Sequence, residues 1–429
     1  MTSWLQIPTG SHFGLSNIPF GIITTPAYPS PHPAIAIGAQ ALDLHIFTLS
    51  GGFTALPDFT SSHVFTSHST LNEFAALGRP AHRLVREYLQ SVLAENTPHP
   101  EVLKDNAALQ KSCLFALADV TMHLPLQIGD YTDFYAGRHH AFNVGTLFRG
   151  AANALQPNYE HMPIGYHGRA SSVVVSGTPV VRPRGQVLDK PGGAPVVKPC
   201  GKLDFELELG AFLCRDSTMG ESVEVGEAAE WLFGVVLLND WSARDIQAWE
   251  YVPLGPFTSK SFATSISPWV VLMDALEPFR TAPLQRSDGA APLSQYLREA
   301  EKNSVYDINL EVLLNIPKGS TYTISQTSSR NLLYSFPQMI AHHTITGCPL
   351  RTGDLLGTGT ISGTERESLG SLLEASRNGA EAVVLCDGTD GEKVERYWLE
   401  DGDEVILKGV CGEGVGFGEV RGVVRPARS

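Results

Sequence analysis

The chain has 429 residues, of which 43% are hydrophobic, enough for roughly two to three domains with sizeable cores. Its formal net charge is −14 and lysine and arginine are not clustered, which argues against a nucleic-acid-binding surface. No apolar run reaches the length of a membrane span, and the N-terminus does not have the pattern of a signal peptide, so no membrane partner is expected.

The cysteine pattern bears on the compartment. Six cysteines are scattered along the chain without paired spacing, which predicts reduced thiols and no disulfides. We therefore expect a cytoplasmic protein.

The first part of the chain predicts a small β module. Residues 1–60 are rich in glycine, proline and short apolar runs such as 34–37, a pattern typical of short strands and turns. Two helices are predicted next, at about 80–94 and about 100–118, and each has a proline in its first turn.

From about residue 120 the pattern changes to strands separated by glycine and proline. The clearest predicted strands are 173–175, 204–213, 231–238, 269–273, 310–316 and 405–410. A possible helix at 331–342 contains Pro337, which is expected to end it or kink it. We predict two directly abutting domains, 1–120 and 121–429.

Acidic residues stand out in three segments that are otherwise apolar or aromatic: 130–135, 204–208 and 239–245. A carboxylate that loses its water on folding costs several kcal/mol unless a cation or a fixed donor replaces the water. Several such carboxylates together predict a bound metal ion.

The segment 203–213 alternates strictly between polar and apolar residues, which predicts a strand with Asp204, Glu206 and Glu208 on one face. A solvated strand face would interleave lysine or arginine, and none occurs here. An all-carboxylate site suits Mg²⁺ or Ca²⁺. Neither Cys-x-x-Cys nor His-Glu-x-x-His occurs, so a tetrahedral zinc site is not expected.

Two further segments carry residues with alternative interpretations. His139 and His140 follow Asp133 closely, and such a histidine can be a second ligand, a general base or a structural residue; His140, next to apolar residues, is expected to face inward. Asp240 ends an apolar strand, where it can be a ligand or, like Asn239, a helix N-cap.

Two loop segments could contact an anion. Lys260 lies among hydroxyl and aromatic side chains, where it either stabilises an anion or is an exposed loop residue. The glycines of 357–363 have the wrong spacing for a dinucleotide-binding fingerprint. Their backbone and Thr360 could still approach an anionic ligand closely.

With these motifs assembled, the sequence resembles the fumarylacetoacetate hydrolase family over nearly its whole length. The segments that match the family in order are 130–135, 165–172, 176–179, 203–208, 239–247 and 359–363. The resemblance implies a mainly β fold with some α: a small SH3-like N-terminal β domain and a large mixed β-roll that forms a homodimer.

The resemblance also implies roles for individual residues. The metal ligands would be Asp133, Glu206, Glu208 and Asp240, with Lys260 and Thr264 making a further magnesium contact. Substrate contacts would come from Tyr135, Arg149, Tyr166, Gln247, Tyr251 and Thr360. His140 would be the base, oriented by Glu374, with Arg244, Gln247 and Lys260 on the oxyanion side.

The activity that the resemblance implies is metal-dependent hydrolysis of a C–C bond in 4-fumarylacetoacetate, a diketo dicarboxylate. The products would be fumarate and acetoacetate, in the last step of tyrosine and phenylalanine breakdown. Ala136, Gly137 and His139 depart from the expected family pattern, which leaves the implied ligands intact.

Two alternatives stay open. A related metal-dependent decarboxylase, isomerase or acylpyruvate hydrolase would use the same chemistry on another β-keto acid, but smaller relatives of that kind usually lack a module like 1–120. A non-catalytic calcium-binding scaffold would use the carboxylates for stability alone, and it would have no need of a His140–Glu374 pair.

Overall fold

The computed structural model describes residues 2–190, 192–317, 319–386 and 393–429. In chain order the strands of these residues are β1 Phe20–Thr24, β2 His32–Ile37, β3 Gln40–Asp43, β4 Leu114–Ala116, β5 Thr121–His123, β6 Tyr131–Phe134, β7 Gly165–His167, β8 Val173–Val175, β9 Val180–Val181, β10 Arg184–Val187, β11 Val196–Pro199, β12 Leu203–Asp204, β13 Leu207–Leu213, β14 Leu232–Asp240, β15 Ser242–Ala243, β16 Thr264–Ile266, β17 Val271–Leu272, β18 Arg280–Thr281, β19 Val305–Tyr306, β20 Asn309–Asn315, β21 Thr321–Ser328, β22 Leu355–Gly357, β23 Val383–Cys386, β24 Lys393–Arg396, β25 Glu404–Val410 and β26 Gly416–Arg425. The helices are α1 Leu44–Leu49, α2 Asn72–Ala76, α3 Arg79–Leu93, α4 Ala107–Cys113, α5 Arg138–Arg149, α6 Arg244–Glu250, α7 Met273–Leu276, α8 Phe336–Thr344 and α9 Leu372–Ala375.

The N-terminal part forms its own five-stranded antiparallel sheet in the order β4-β3-β2-β1-β5. The predicted helix at about 80–94 is confirmed as α3, with Pro80 in its first turn. The prediction for 100–118 is wrong, because the helix there is only α4 and β4 follows it directly. Asn106 decides the start of α4, since its side chain accepts a hydrogen bond from the N–H of Leu109 at 3.1 Å.

The central sheet has eight strands in the order β7-β6-β22-β13-β14-β16-β8, and β17 also pairs with β14. Both faces of β13 and β14 are covered, which explains their continuous apolar sequence. Phe212 and Phe233 share a core with the N-terminal sheet and Phe20. Leu209 and Leu237, on the other face, pack in a second core.

The second core lies between the central sheet and a five-stranded sheet of order β21-β20-β25-β26-β9. Leu310 of β20 and Leu407 of β25 contribute to it from the outer sheet. The protein is therefore mainly β, with a separate N-terminal β-sheet domain, as the sequence predicted. The division at residue 120 stays a prediction, and β5 of the first sheet begins at Thr121.

Pro337 neither ends nor kinks a helix, contrary to the prediction. The helix begins later than expected, at Phe336, so that Pro337 lies in the first turn of α8. In the first turn a missing N–H breaks no helical hydrogen bond. Ser335 caps the helix, and its hydroxyl accepts from the N–H of Gln338 at 3.1 Å.

The predicted continuous strand 203–213 is also wrong, because it divides into β12 and β13. The two pieces pair with different strands, β12 with β15 and β13 with β14. Asp204 consequently turns away from Glu206 and Glu208, and its carboxylate accepts from Arg244 Nε at 2.9 Å.

Among the helices that the structure describes, none is long and apolar enough to cross a bilayer.

A buried ion pair ties two strands of the N-terminal sheet together. Asp43 caps α1 by accepting from the N–H of Ile46 at 2.9 Å, and its other oxygen lies 2.6 Å from His32 Nε2. Burial lowers the pKa of His32, but the hydrogen bond and charge of Asp43 outweigh burial, and the net shift is upward from 6.5. The imidazole also contacts the carbonyl of Ser30 at 2.6 Å through Nδ1.

We predict that the pair stabilises the fold mainly at low pH. Because the folded pKa of His32 is above the unfolded value of about 6.5, the stabilisation is complete below about pH 6.5 and is lost as pH rises through the folded pKa. His32→Gln should therefore lower the free energy of unfolding by roughly 1.5–3 kcal/mol at pH 6 and by less at pH 9, measured by urea denaturation. Exposed His63→Gln is the control, and a pH-independent difference for His32→Gln would contradict the prediction.

Candidate metal centre and active site

A cavity of about 780 Å³ lies where the acidic segments meet. It is lined by residues of β6 and β13, by helices α5 and α6, and by the segment that follows α6. The predicted base His140 lines the same space as three of the predicted ligands, Asp133, Glu206 and Glu208.

Four buried carboxylates form a compact group: Asp133, Glu206, Glu208 and Asp240, whose ligand atoms all lie within 4.8 Å of one another. They come from neighbouring elements of the central sheet, because β6, β22, β13 and β14 are adjacent in that order. The family resemblance implied the same four as ligands, and the fold brings them together.

Gly357 of β22 makes room for this group. It pairs with Asp133 across one edge of its strand and with Gly210 across the other. A Cβ at Gly357 would lie 2.8 Å from Asp133 Oδ1 and 3.2 Å from Glu208 Oε2. Only glycine therefore lets the two carboxylates approach each other over this strand.

The carboxylates are incompletely compensated by the protein. In the described part of the chain, Asp133 Oδ1 and Glu208 Oε1 have no hydrogen-bond partner. Burial and the charge of Asp240 raise the pKa of Asp133 well above its usual range, and burial and the charge of Asp133 do the same for Glu208. Such orphaned buried oxygens are costly unless a cation reaches them.

The opposite side of the group carries positive charge. Lys260 is buried and donates to Glu206 and, at 2.7 Å, to Asp240. Burial raises the pKa of Glu206, but Lys260 and Arg244 outweigh it and hold the pKa at about 2. Thr264 Oγ1 donates to the second oxygen of Asp240 at 3.0 Å. The unpartnered oxygens and the all-oxygen donor set fit a hard divalent cation.

His140 faces this group from helix α5. It is 2% exposed, whereas its neighbour His139 is only half-buried, because successive helical residues point about 100° apart. The prediction of an inward-facing His140 is therefore matched, and a helix carries the residue. Its Nε2 lies 4.0 Å from Glu206 Oε1.

Glu374 holds the other side of the imidazole. His140 Nδ1 donates to Glu374 Oε2 at 2.6 Å, which leaves Nε2 as the acceptor. Within the described structure the carboxylate also accepts from Asn143, Ser362 and Ser371, each at 2.8 Å. Burial raises the pKa of Glu374, but His140, Asn143 and Ser362 outweigh burial, and the net shift of the pKa is downward. The carboxylate is therefore held ionised and in one orientation.

Arg244 connects the carboxylate group with Gln247 of helix α6. Its Nη1 lies 2.8 Å from Glu206 Oε1 and donates to Gln247 Oε1 at 3.2 Å. Its Nη2 is buried and, among the described atoms, lacks a partner. Arg244, Gln247 and Lys260 all line the cavity, so donors face the space where a substrate oxygen would lie.

The six residues predicted to contact substrate also line the cavity: Tyr135, Arg149, Tyr166, Gln247, Tyr251 and Thr360. Tyr166 donates to Asp240 Oδ2 at 2.9 Å. Arg149 is held at the rim, because its guanidinium donates to the carbonyls of Asn153 and Ala154 at 3.1 and 2.6 Å.

Sequence reasoning missed the residues that hold Glu374. Asn143 lies three residues after His140 on one helix face, which a helix prediction for α5 would have indicated. Ser371 is the N-cap of α9, a recognisable pattern before Glu374. Ser362 lies in a loop and carries no sequence signal for this role.

A purely structural ion site has no use for a histidine held by a buried glutamate, so fold and cavity together place this protein among mainly β enzymes with a buried carboxylate group able to hold a metal ion. Residues 130–425 match the family described as fumarylacetoacetate (FAA) hydrolase C-terminal, and residues 16–125 match fumarylacetoacetase N-terminal. The chain belongs to the fumarylacetoacetate hydrolase family.

Individual relatives are similar over the full length. A fumarylacetoacetase of Aspergillus fumigatus is 58% identical and covers 100% of this chain and 99% of its own. A fumarylacetoacetase of Emericella nidulans is also 58% identical, with 99% of both chains covered. The solved fumarylacetoacetate hydrolase of Exiguobacterium antarcticum covers 96% of this chain and 100% of its own, with 15% identity and a TM-score of 0.53, which shows a shared fold.

We predict that Gly357→Ala weakens divalent-ion binding about tenfold or more, because its methyl group would displace Asp133 or Glu208. Calorimetric titration with Mg²⁺ and Ca²⁺ measures the effect. Gly226→Ala is the matched control, since its Cβ would meet nothing within 4 Å, and equal affinities of the two variants would contradict the prediction.

Proposed function

We propose that this protein hydrolyses the C–C bond of 4-fumarylacetoacetate to fumarate and acetoacetate, the last step of tyrosine and phenylalanine breakdown. The observation that carries the proposal is that His140, held by Glu374, lines the same cavity as Asp133, Glu206 and Glu208 of the carboxylate group. The names of the relatives that are 58% identical over the full length support this substrate. A calcium-binding scaffold would need no base.

We infer Mg²⁺ or Ca²⁺ as the cofactor, held by Asp133, Glu206, Glu208 and Asp240. Hard oxygen donors without nitrogen or sulfur favour these ions. When bound, the ion supplies a Lewis acid that polarises the diketone and stabilises the charge of the departing carbanion. Lys260 and Thr264 would hold Glu206 and Asp240 in place around it.

His140 is the general base in this proposal. Its free Nε2 would take a proton from water while the water oxygen attacks the carbonyl carbon of the fumaryl group, which becomes a carboxyl carbon of fumarate. Cleavage of the C–C bond then leaves electrons on the acetoacetate carbon, which takes up a proton from the imidazolium. Glu374 would keep Nδ1 protonated and stabilise the positive charge of the imidazolium, as the acid of a Ser-His-Asp triad does.

The cationic side of the cavity would stabilise the tetrahedral alkoxide. Arg244 Nη2 is a buried donor without a partner in the described structure, and a preorganised donor of this kind contributes most where water is excluded. Lys260 and Gln247 would act beside it.

Substrate recognition would use the remaining lining residues. Arg149 supplies a cation at the rim for a substrate carboxylate, and Tyr135, Tyr166, Tyr251 and Thr360 supply hydroxyl groups. These local charges explain how a protein with a net charge of −14 binds a dianion.

We further infer a cytoplasmic homodimer. The six cysteines carry free thiols, which supports a reducing compartment. Leu254 and Phe257, 95% and 72% exposed beside the cavity, support association of two copies. In this proposal residues 1–120 serve folding and dimer shape, and residues 121–429 carry the chemistry.

We predict that the purified protein consumes fumarylacetoacetate, followed by loss of the diketone absorbance, and that a chelator stops the reaction. Asp133→Asn, Glu206→Gln, Glu208→Gln and Asp240→Asn should each weaken Mg²⁺ or Ca²⁺ binding and abolish most turnover, because each removes a ligand charge. Unchanged ion affinity in all four variants would exclude the metal site.

We predict that His140→Ala lowers kcat by about 10²–10⁴ while metal binding is kept, and that His139→Ala stays active because His139 does not line the cavity. Glu374→Gln should have a milder form of the His140→Ala defect, since the imidazole keeps its nitrogen and loses its orienting anion. Steady-state assays decide. An active His140→Ala with an inactive His139→Ala would assign the base to the other histidine.

A further inference from the structure

Asp204 was part of an acidic motif in the sequence, yet it is not one of the four clustered carboxylates. It is completely buried. Its Oδ2 accepts from Arg244 Nε and from the N–H of Leu373, both at 2.9 Å. Its Oδ1 accepts from the N–H of Leu372 at 2.7 Å and of Phe205 at 2.9 Å.

These contacts join two parts of the site that lie far apart in the chain. Arg244 begins α6, whereas Leu372 and Leu373 form the first turn of α9, which carries Glu374. The Asp204 carboxylate therefore holds two groups. It accepts from Nε of Arg244, and it accepts from the backbone at the start of α9, the helix that carries Glu374.

The contact with Asp204 determines where the rest of Arg244 points. With Nε directed at Asp204 and Nη1 at Glu206, the planar guanidinium has no remaining rotation, and Nη2 is left as the free donor. Burial raises the pKa of Asp204, while Arg244 and the two α9 N–H groups oppose that shift.

We propose that Asp204 is a positioning residue of the reaction, which sets the distance between the oxyanion donor Arg244 and the Glu374–His140 pair. Asp204 itself does not line the cavity, so it acts through these groups. The proposal rests on the proposed function. A shift of about 1 Å between donor and base is enough to cost about 10²-fold in rate.

The test is Asp204→Asn in the full-length, metal-loaded enzyme. Each oxygen of Asp204 accepts from two N–H donors. An amide NH₂ at the Oδ2 position opposes Arg244 and Leu373, and one at the Oδ1 position opposes Leu372 and Phe205. Either orientation weakens at least one of the two connections. We expect kcat to fall by about 10- to 100-fold. The KM and the dissociation constant for Mg²⁺ should change by less than about threefold, because the ligands and the rim remain in place.

Asp403→Asn is the matched control. Asp403 is also completely buried and accepts from Arg396 Nε and from the N–H of Glu400, both at 2.9 Å, but it does not line the cavity. It should lower the melting temperature and leave kcat unchanged. If Asp204→Asn keeps the wild-type kcat, or if Asp403→Asn shows the same kcat loss, the proposal is overturned.

Coupling to the base gives a second readout. In the double variant Asp204→Asn, Glu374→Gln the loss in kcat should be close to the larger single loss, because both changes disturb the same distance between Arg244 and His140. Losses that multiply would show that Asp204 acts independently of Glu374, against the proposal.

A crystal structure of Asp204→Asn separates this proposal from the proposed function. Displacement of Arg244 or Glu374 by more than about 0.5 Å supports positioning even if the wild type does not cleave fumarylacetoacetate, and unmoved side chains overturn it. If Asp204→Asn does not fold, Asp204→Glu replaces it, since it keeps the charge and changes only the reach. A wild-type kcat in Asp204→Glu, or a second failure to fold, then assigns Asp204 a structural role and overturns the proposal.

Discussion

Burial of four carboxylates within 4.8 Å of one another is the constraint on which the site depends. Their mutual repulsion and loss of water cost several kcal/mol per ion in the absence of compensation. Lys260 compensates part of this charge, and Arg244 is shared between Glu206 and Asp204. A divalent cation would compensate the remaining negative charge.

The architecture around the group keeps it rigid. The strands that carry the ligands are covered on one face by the N-terminal sheet and on the other by the outer five-stranded sheet. Such strands cannot relax when charge accumulates at their ends, so repulsion is not relieved by movement. This geometry requires glycine at position 357. Strand β22 passes between β6 and β13, and a side chain at this position would meet the carboxylates of Asp133 and Glu208.

Two sets of hydrogen-bonded polar groups surround the four carboxylates. On one side Glu374 is held by His140 and hydroxyl or amide donors; on the other Arg244 is held between Asp204 and Glu206. Arg244 also lines the cavity, and its buried Nη2 is without a partner among the described atoms. Preorganisation of this kind lowers the reorganisation needed during reaction.

The sequence by itself determined the mainly β class, the four clustered acids and the inward orientation of His140, because alternation, acid-in-apolar context and family motifs are local signals. Tertiary structure alone decided the rest. Asp204 alternates with Glu206 and Glu208 in sequence, but β12 pairs with β15 and the alternation is interrupted. The Asp204 carboxylate consequently accepts a hydrogen bond from Arg244. Ser362 reaches Glu374 only through loop packing. Contacts between segments far apart in the chain depend on how sheets stack, which no local pattern encodes.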